Sequence, residues 1–159
     1  TLFPYTTLFR SLYEQVERLV AQQKNLERQL DQLKEKVAQA QLGDLETKAR
    51  TLKGVKVLAA RVDSLDRNQM RSLADSLRNK WKTGVVVLAS AEDGNVAIVA
   101  AVTKDLTAKV HAGKLAGALA QAVGGKGGGR PDMAEAGGKD AQALPGALEG
   151  VYTSVEGQL

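Results

Sequence analysis

The sequence predicts a mixed α/β (α+β) fold, a globular domain with a central sheet and flanking helices, preceded by a long N-terminal coiled-coil helix. Apolar residues recur at alternating intervals of four and three from Leu12 to Ala40. Two Val-rich runs of strand character then bracket a stretch with helical spacing. Beyond a further helical stretch, residues 124–138 hold seven glycines in fifteen positions.

The N-terminal helix rests on Leu12, Val16, Leu19, Gln23, Leu26, Leu30, Leu33, Val37 and Ala40, which fall on one stripe with a repeat of 3.5 residues. A helix of this length needs a partner along its apolar seam rather than propensity alone. The seam formed by Leu19, Leu26, Leu30, Leu33 and Val37 therefore predicts a homo-oligomer; the blander reading packs the helix on a part of the protein absent from this chain. Gln23 at a core position fixes register at some cost in stability. Five acidic and five basic residues over positions 12–42 balance, so the outer face reads as solvated. Gly43 is the expected stop, with a short second helix over residues 44–52 carrying Leu45, Ala49 and Leu52.

The first eleven residues, TLFPYTTLFRS, stand apart. They contain a near repeat, Thr1-Leu2-Phe3 and Thr7-Leu8-Phe9, and lack the pattern that follows. Pro4 interrupts the short apolar stretch, and no basic region or small-residue cleavage site makes it a signal peptide. The segment reads as foreign or disordered, and a chain opening on Thr1 rather than Met reads as a fragment. The expected organisation is residues 1–11 as extraneous sequence, 12–53 as a helical coiled-coil and oligomerisation segment, and 54–159 as the α/β domain.

Within that domain, residues 55–62 are rich in Val, Leu and Ala and read as a strand. Residues 68–81 follow with Met70, Leu73, Leu77 and Trp81 at helical spacing, and Asp66 or Asn68 is suited to cap the start. Val85-Val86-Val87-Leu88 is a continuous apolar run, as in a strand buried on both faces. Asp93-Gly94 predicts a hairpin into residues 96–102. A helix over 112–123 ends at Gly124, and Leu144, Leu148, Val151, Tyr152 and Val155 predict a last helix covering the sheet.

The glycine run reads as backbone that a ligand approaches closely, because glycine carries no Cβ and is costly to order; a mobile loop without a ligand is the alternative. No P-loop or dinucleotide fingerprint is present, since Gly125-Lys126 and Gly138-Lys139 lack the required upstream glycine and following hydroxyl, and Asp132 stands three places after Gly129. Charge points to a polyanion. Residues 44–126 carry fourteen basic against eight acidic side chains, and residues 127–159 two against five. Lys104, Lys109, Lys114 and Lys126 lead into the glycine run, where phosphate charge would be neutralised with release of counterions. Arg130 beside three glycines suits a two-pronged phosphate contact, unless it pairs with Asp132 or Glu135.

Catalysis finds little support. His111 is the sole histidine and there is no cysteine, so neither a paired-His metal site nor a Cys/His dyad can be built; catalytic and metal-binding residues are both read as none. Trp81 lies on an apolar helical face and reads as core rather than as a base-stacking platform. No run of 18 apolar residues predicts a membrane span.

The run GGKGGGRPDMAEAGGKD resembles the signature of the DHH-associated nucleic-acid-binding domain, in the version that closes alanyl-tRNA synthetases. Residues 54–63, 86–90 and 103–107 resemble that family in the same order. Glu135 departs from it, standing where the family more often has Gln. The resemblance implies a C-terminal tRNA-binding and oligomerisation module, cytoplasmic and without a membrane. It places tRNA contacts at Lys126, Gly127, Gly128, Gly129 and Arg130. It also implies a parent ligase that attaches alanine to its tRNA using ATP, with Mg and Zn, through aminoacylation and editing domains lying upstream; no cofactor is expected in this chain. A DHH-type phosphoesterase and a free-standing alanyl-tRNA editing hydrolase are the alternatives, each of which needs upstream metal ligands.

Overall fold

A computed structural model describes residues 4–63 and 65–159 and, within them, the side chains of all but residues 34, 35, 38, 39 and 41. Two compact units divide between Ala40 and Gln41.

The first unit is helical, the leading part of α1 (Pro4–Lys48). Residues 4–11, which carry no helical pattern by themselves, are helical too, and Tyr5 and Phe9 extend the spacing of the seam. The seam is open to solvent: Leu19, Leu26, Leu30, Leu33 and Val37 are each at least half exposed.

In the second unit, α1 runs through Gly43 without a break, so the expected stop and separate short helix are not formed. Interior glycine costs a helix about 1 kcal/mol. Burial offsets that cost, because Leu45 is 4 % exposed and packs with Leu42 and Ala49 into one core cluster. After Lys48 the chain forms β1 (Arg50–Leu52) and turns through Lys53 and Gly54, both at positive φ, into β2 (Val55–Arg61). A two-residue turn of this kind suits a hairpin, and residues 50–52 are therefore strand, not helix.

α2 (Arg67–Lys80) starts at Asp66, whose carboxylate accepts from the Gln69 backbone N–H while the Gln69 side chain accepts from that of Asp66. This reciprocal cap satisfies two donors that a helix start leaves free. β3 (Gly84–Glu92) lies parallel to β2, and Asp93-Gly94, both at positive φ, return the chain as β4 (Asn95–Val102). α3 (Ala112–Ala122) follows. The glycine-rich segment then forms an antiparallel pair, β5 (Lys126–Gly129) with β6 (Met133–Gly138), rather than a loop. α4 (Leu144–Gln158) ends the chain.

The six strands lie in the order β1-β2-β3-β4-β6-β5. Alternation along β3 divides its side chains between two cores. Val85, Val87 and Ala89 meet α3 and α4, whereas Val86 and Leu88 meet α2 and the end of α1. Trp81 is core, 5 % exposed, with the Lys56 ammonium 5.6 Å from its ring centre. On the β1 side, the Tyr152 hydroxyl accepts from the Ala59 N–H at 3.1 Å and lies 3.3 Å from the Ala59 carbonyl, just past the last residue that β1 pairs. Arg50 stacks over the Tyr152 ring at 4.3 Å and pairs with Glu149 at 3.3 Å.

Candidate functional site

The register between β5 and β6 decides which way each residue of the glycine run faces. Gly127 is opposite Ala136 and Gly129 opposite Ala134, and both alanines belong to the core beneath α3. Lys126 is opposite Gly137 and Gly128 opposite Glu135. Paired residues share a face, so Lys126 and Gly128 lie on the opposite side, the one that carries α2.

Glycine is required on the α3 side by packing within the chain. A Cβ on Gly127 would overlap Ala136, and one on Gly129 would stand 2.7 Å from the Ala134 Cα. From the helix, a Cβ on Gly113 would come within 2.6 Å of the Gly129 carbonyl oxygen. On the α2 side nothing lies within 4 Å of the position a Gly128 side chain would take.

α2 packs over β3 and β4 and leaves β5 uncovered. The result is a ledge, with the hairpin as floor and the flank of α2 as wall. Three arginines reach from wall to floor. A Cβ on Gly137 would lie 3.6 Å from Arg67 Nη2; Arg71 Nη1 is 3.4 Å from Glu135 Oε1; Arg78 Nη1 is 3.6 Å from Asp132 Oδ2 and its Nη2 is 2.7 Å from Asp75 Oδ1. Arg130 Nε lies 3.7 Å from the other Asp132 oxygen and remains 72 % exposed. The expected pairing with Asp132 is thus present but long, and Glu135 goes to Arg71 instead. The Arg71–Glu135 and Arg130–Asp132 pairs, long and open to solvent, contribute little and leave their guanidiniums available to another anion.

The remaining lysines gather at the Arg130 end. The Val102 N–H donates to the Asp132 carbonyl and the Ala112 N–H to that of Pro131, each at 2.9 Å, so the segment between them borders the turn of the hairpin. Lys104 and Lys109 sit on that segment, and Lys114 follows the Gly113 that abuts Gly129; all three are exposed. Lys104 also shares a shallow polar cleft with Arg78, Lys82 and Asp105. The hydroxyls of Thr103 and Thr83 hold the Asp105 carboxyl below its ordinary range, the latter donating at 2.7 Å. Lys126 stands apart at the opposite end of β5.

The arginines of α2 were not among the residues singled out from sequence. Arg67 and Arg71 are four apart and share a helix flank, a signal present in the sequence, but their relation to β6 depends on packing. Among the described residues no group of three or more His, Cys, Asp or Glu is placed to hold a metal ion, and no helix is long and apolar enough to cross a membrane. The arrangement offers cations and open backbone, suited to an extended anion.

An "Alanine--tRNA ligase" of Solibacter usitatus is 68 % identical over 94 % of this chain and 17 % of its own length. A ligase of the same name from Dechloromonas aromatica is 48 % identical over 94 % of this chain and likewise 17 % of its own. The chain thus spans about a sixth of the length of these curated relatives. Among solved structures, the C-Ala domain from Aquifex aeolicus alanyl-tRNA synthetase superposes with a TM-score of 0.65 at 28 % identity, covering 69 % of this chain and 98 % of that one. Residues 54–156 match the DHHA1 domain, more than half of the sequence, and the chain belongs to that family.

Proposed function

We propose that this chain is a tRNA-binding and oligomerisation module from the C-terminal part of an alanyl-tRNA synthetase, acting in the cytoplasm. The observation that carries the reading is the likeness to alanine–tRNA ligases along nearly the whole chain, joined to a ledge that offers cations and an uncovered glycine strand. Lys126, Gly127, Gly128, Gly129 and Arg130 form the floor, with Lys104, Lys109 and Lys114 around its turn. Recognition is by shape and phosphate rather than by stacking, since the one tryptophan is buried. Activation of alanine with ATP, its transfer to tRNA, and the Mg and Zn chemistry belong to the remainder of the parent enzyme. Metal-dependent phosphoester or editing chemistry has no ligand set among the described residues.

The test is a salt titration of binding to tRNA and to a duplex RNA of equal length that lacks the folded corner. Preference for tRNA is expected; equal binding would reduce the ledge to a general backbone grip and reopen the phosphoesterase reading. Replacing Lys126 and Arg130 together with Ala lowers the salt slope by up to about two units, and an unchanged slope would remove the hairpin from the interface.

Oligomerisation is proposed through the seam of α1. Leu26 and Leu30 are 64 % and 53 % exposed, and burying such side chains contributes about 1.5–3 kcal/mol each. Replacing both with Gln should convert the oligomer to monomer in sedimentation velocity. A monomeric parent chain would refute the proposal.

A further inference from the structure

Resting on the tRNA-binding reading, we infer that Arg67 and Arg71 on the wall of the ledge form a second row of RNA phosphate contacts, and that Glu135 is a built-in counter-charge limiting how tightly that row binds.

Arg67 opens α2, where the helix dipole disfavours a cation. It is exposed and, among the described residues, forms no ion pair with a carboxylate. Its Nη2 lies over Gly137, which is opposite Lys126, so Arg67 and Lys126 flank one rung of the hairpin. One helical turn on, Arg71 reaches Glu135 on the next rung of the same face, opposite Gly128. The two arginines are about 6 Å apart along the helix, and same-face rungs about 6.7 Å apart along the strand. Each arginine therefore stands over its own rung, and the floor between wall and β5 carries no side chain at Gly128.

Glu135 is the one carboxylate projecting from the middle of this floor. It meets Arg71 through a single contact of 3.4 Å, with the two side chains 35 % and 48 % exposed. A backbone phosphate offers a guanidinium the same pair of oxygen acceptors and the same single charge, and its neighbours along the RNA engage Arg67 and Lys126 at the same time, so it displaces Glu135 rather than binding beside it. Glu135 then faces the incoming backbone as an unpaired anion, and the penalty is subtracted from affinity.

The experiment is a salt titration of tRNA binding by the full 159-residue chain and its Arg67→Ala, Arg67→Lys and Glu135→Gln variants, beside the Lys126/Arg130 double variant. R67A should lower the slope by about one unit and R67K should restore it. E135Q should bind more tightly, with a slope steeper by up to about one unit. If R67A and E135Q both match the parent while the double variant still loses slope, this inference fails and the tRNA-binding reading stands. If the parent chain itself shows no salt-dependent binding to tRNA, the reading fails and takes this inference with it.

Discussion

The two faces of β5 use the same amino acid for opposite purposes. Toward α3, Gly127 and Gly129 are packed so closely against β6, and Gly129 against Gly113, that a methyl group has no place. Toward α2, Gly128 meets nothing within 4 Å. Glycine on the first face lets a helix and two strands approach one another; on the second it keeps a surface clear. A glycine run is therefore not by itself evidence of a ligand. A missing side chain bears on binding only where it leaves a void facing solvent, as at Gly128; Gly127 and Gly129 offer the floor their backbone alone.

Substitution can separate the two roles. The largest effect is expected at Gly127→Ala, where the new methyl overlaps Ala136 on a neighbouring strand. Overpacking of this kind costs about 3 kcal/mol, which lowers the melting temperature of a chain this size by about 10 °C. Thermal unfolding followed by circular dichroism reads it directly. Gly128→Ala should instead leave the melting temperature unchanged or raise it, since alanine in a strand is favoured over glycine by about 0.5–1 kcal/mol. Its effect belongs in tRNA affinity, which should fall as the floor is raised. Equal destabilisation by the two variants would show that both faces are packing faces and would leave the ledge without a reason for its glycine.

Much of the fold is legible in the sequence. The continuous apolar run at Val85–Leu88 and the Asp93-Gly94 turn are strong local signals, and of the two residues suited to cap α2, Asp66 and Asn68, it is Asp66 that does. What escapes is what local pattern cannot encode. β1 is three residues long and β5 is Lys-Gly-Gly-Gly, so neither has side chains that alternate. The helix through Gly43 persists because Leu45 is buried in the core cluster that α2 also joins, tertiary packing that overrides a local stop signal. Of the candidate site, the basic residues leading into the glycines are legible as charge. The arginine wall is not, because Arg67 and Arg71 gain meaning only from the register of β6 beneath them.

The Tyr152 clasp has a consequence for how copies of this chain can meet. Beyond the three residues of β1, the margin of β2 would present bare peptide groups to any passing strand, and such margins template ladder growth between molecules. The Tyr152 hydroxyl occupies both groups of Ala59, and Arg50 holds the ring in place. An incoming strand would have to evict a side chain anchored in the last helix. Self-recognition along that margin is suppressed.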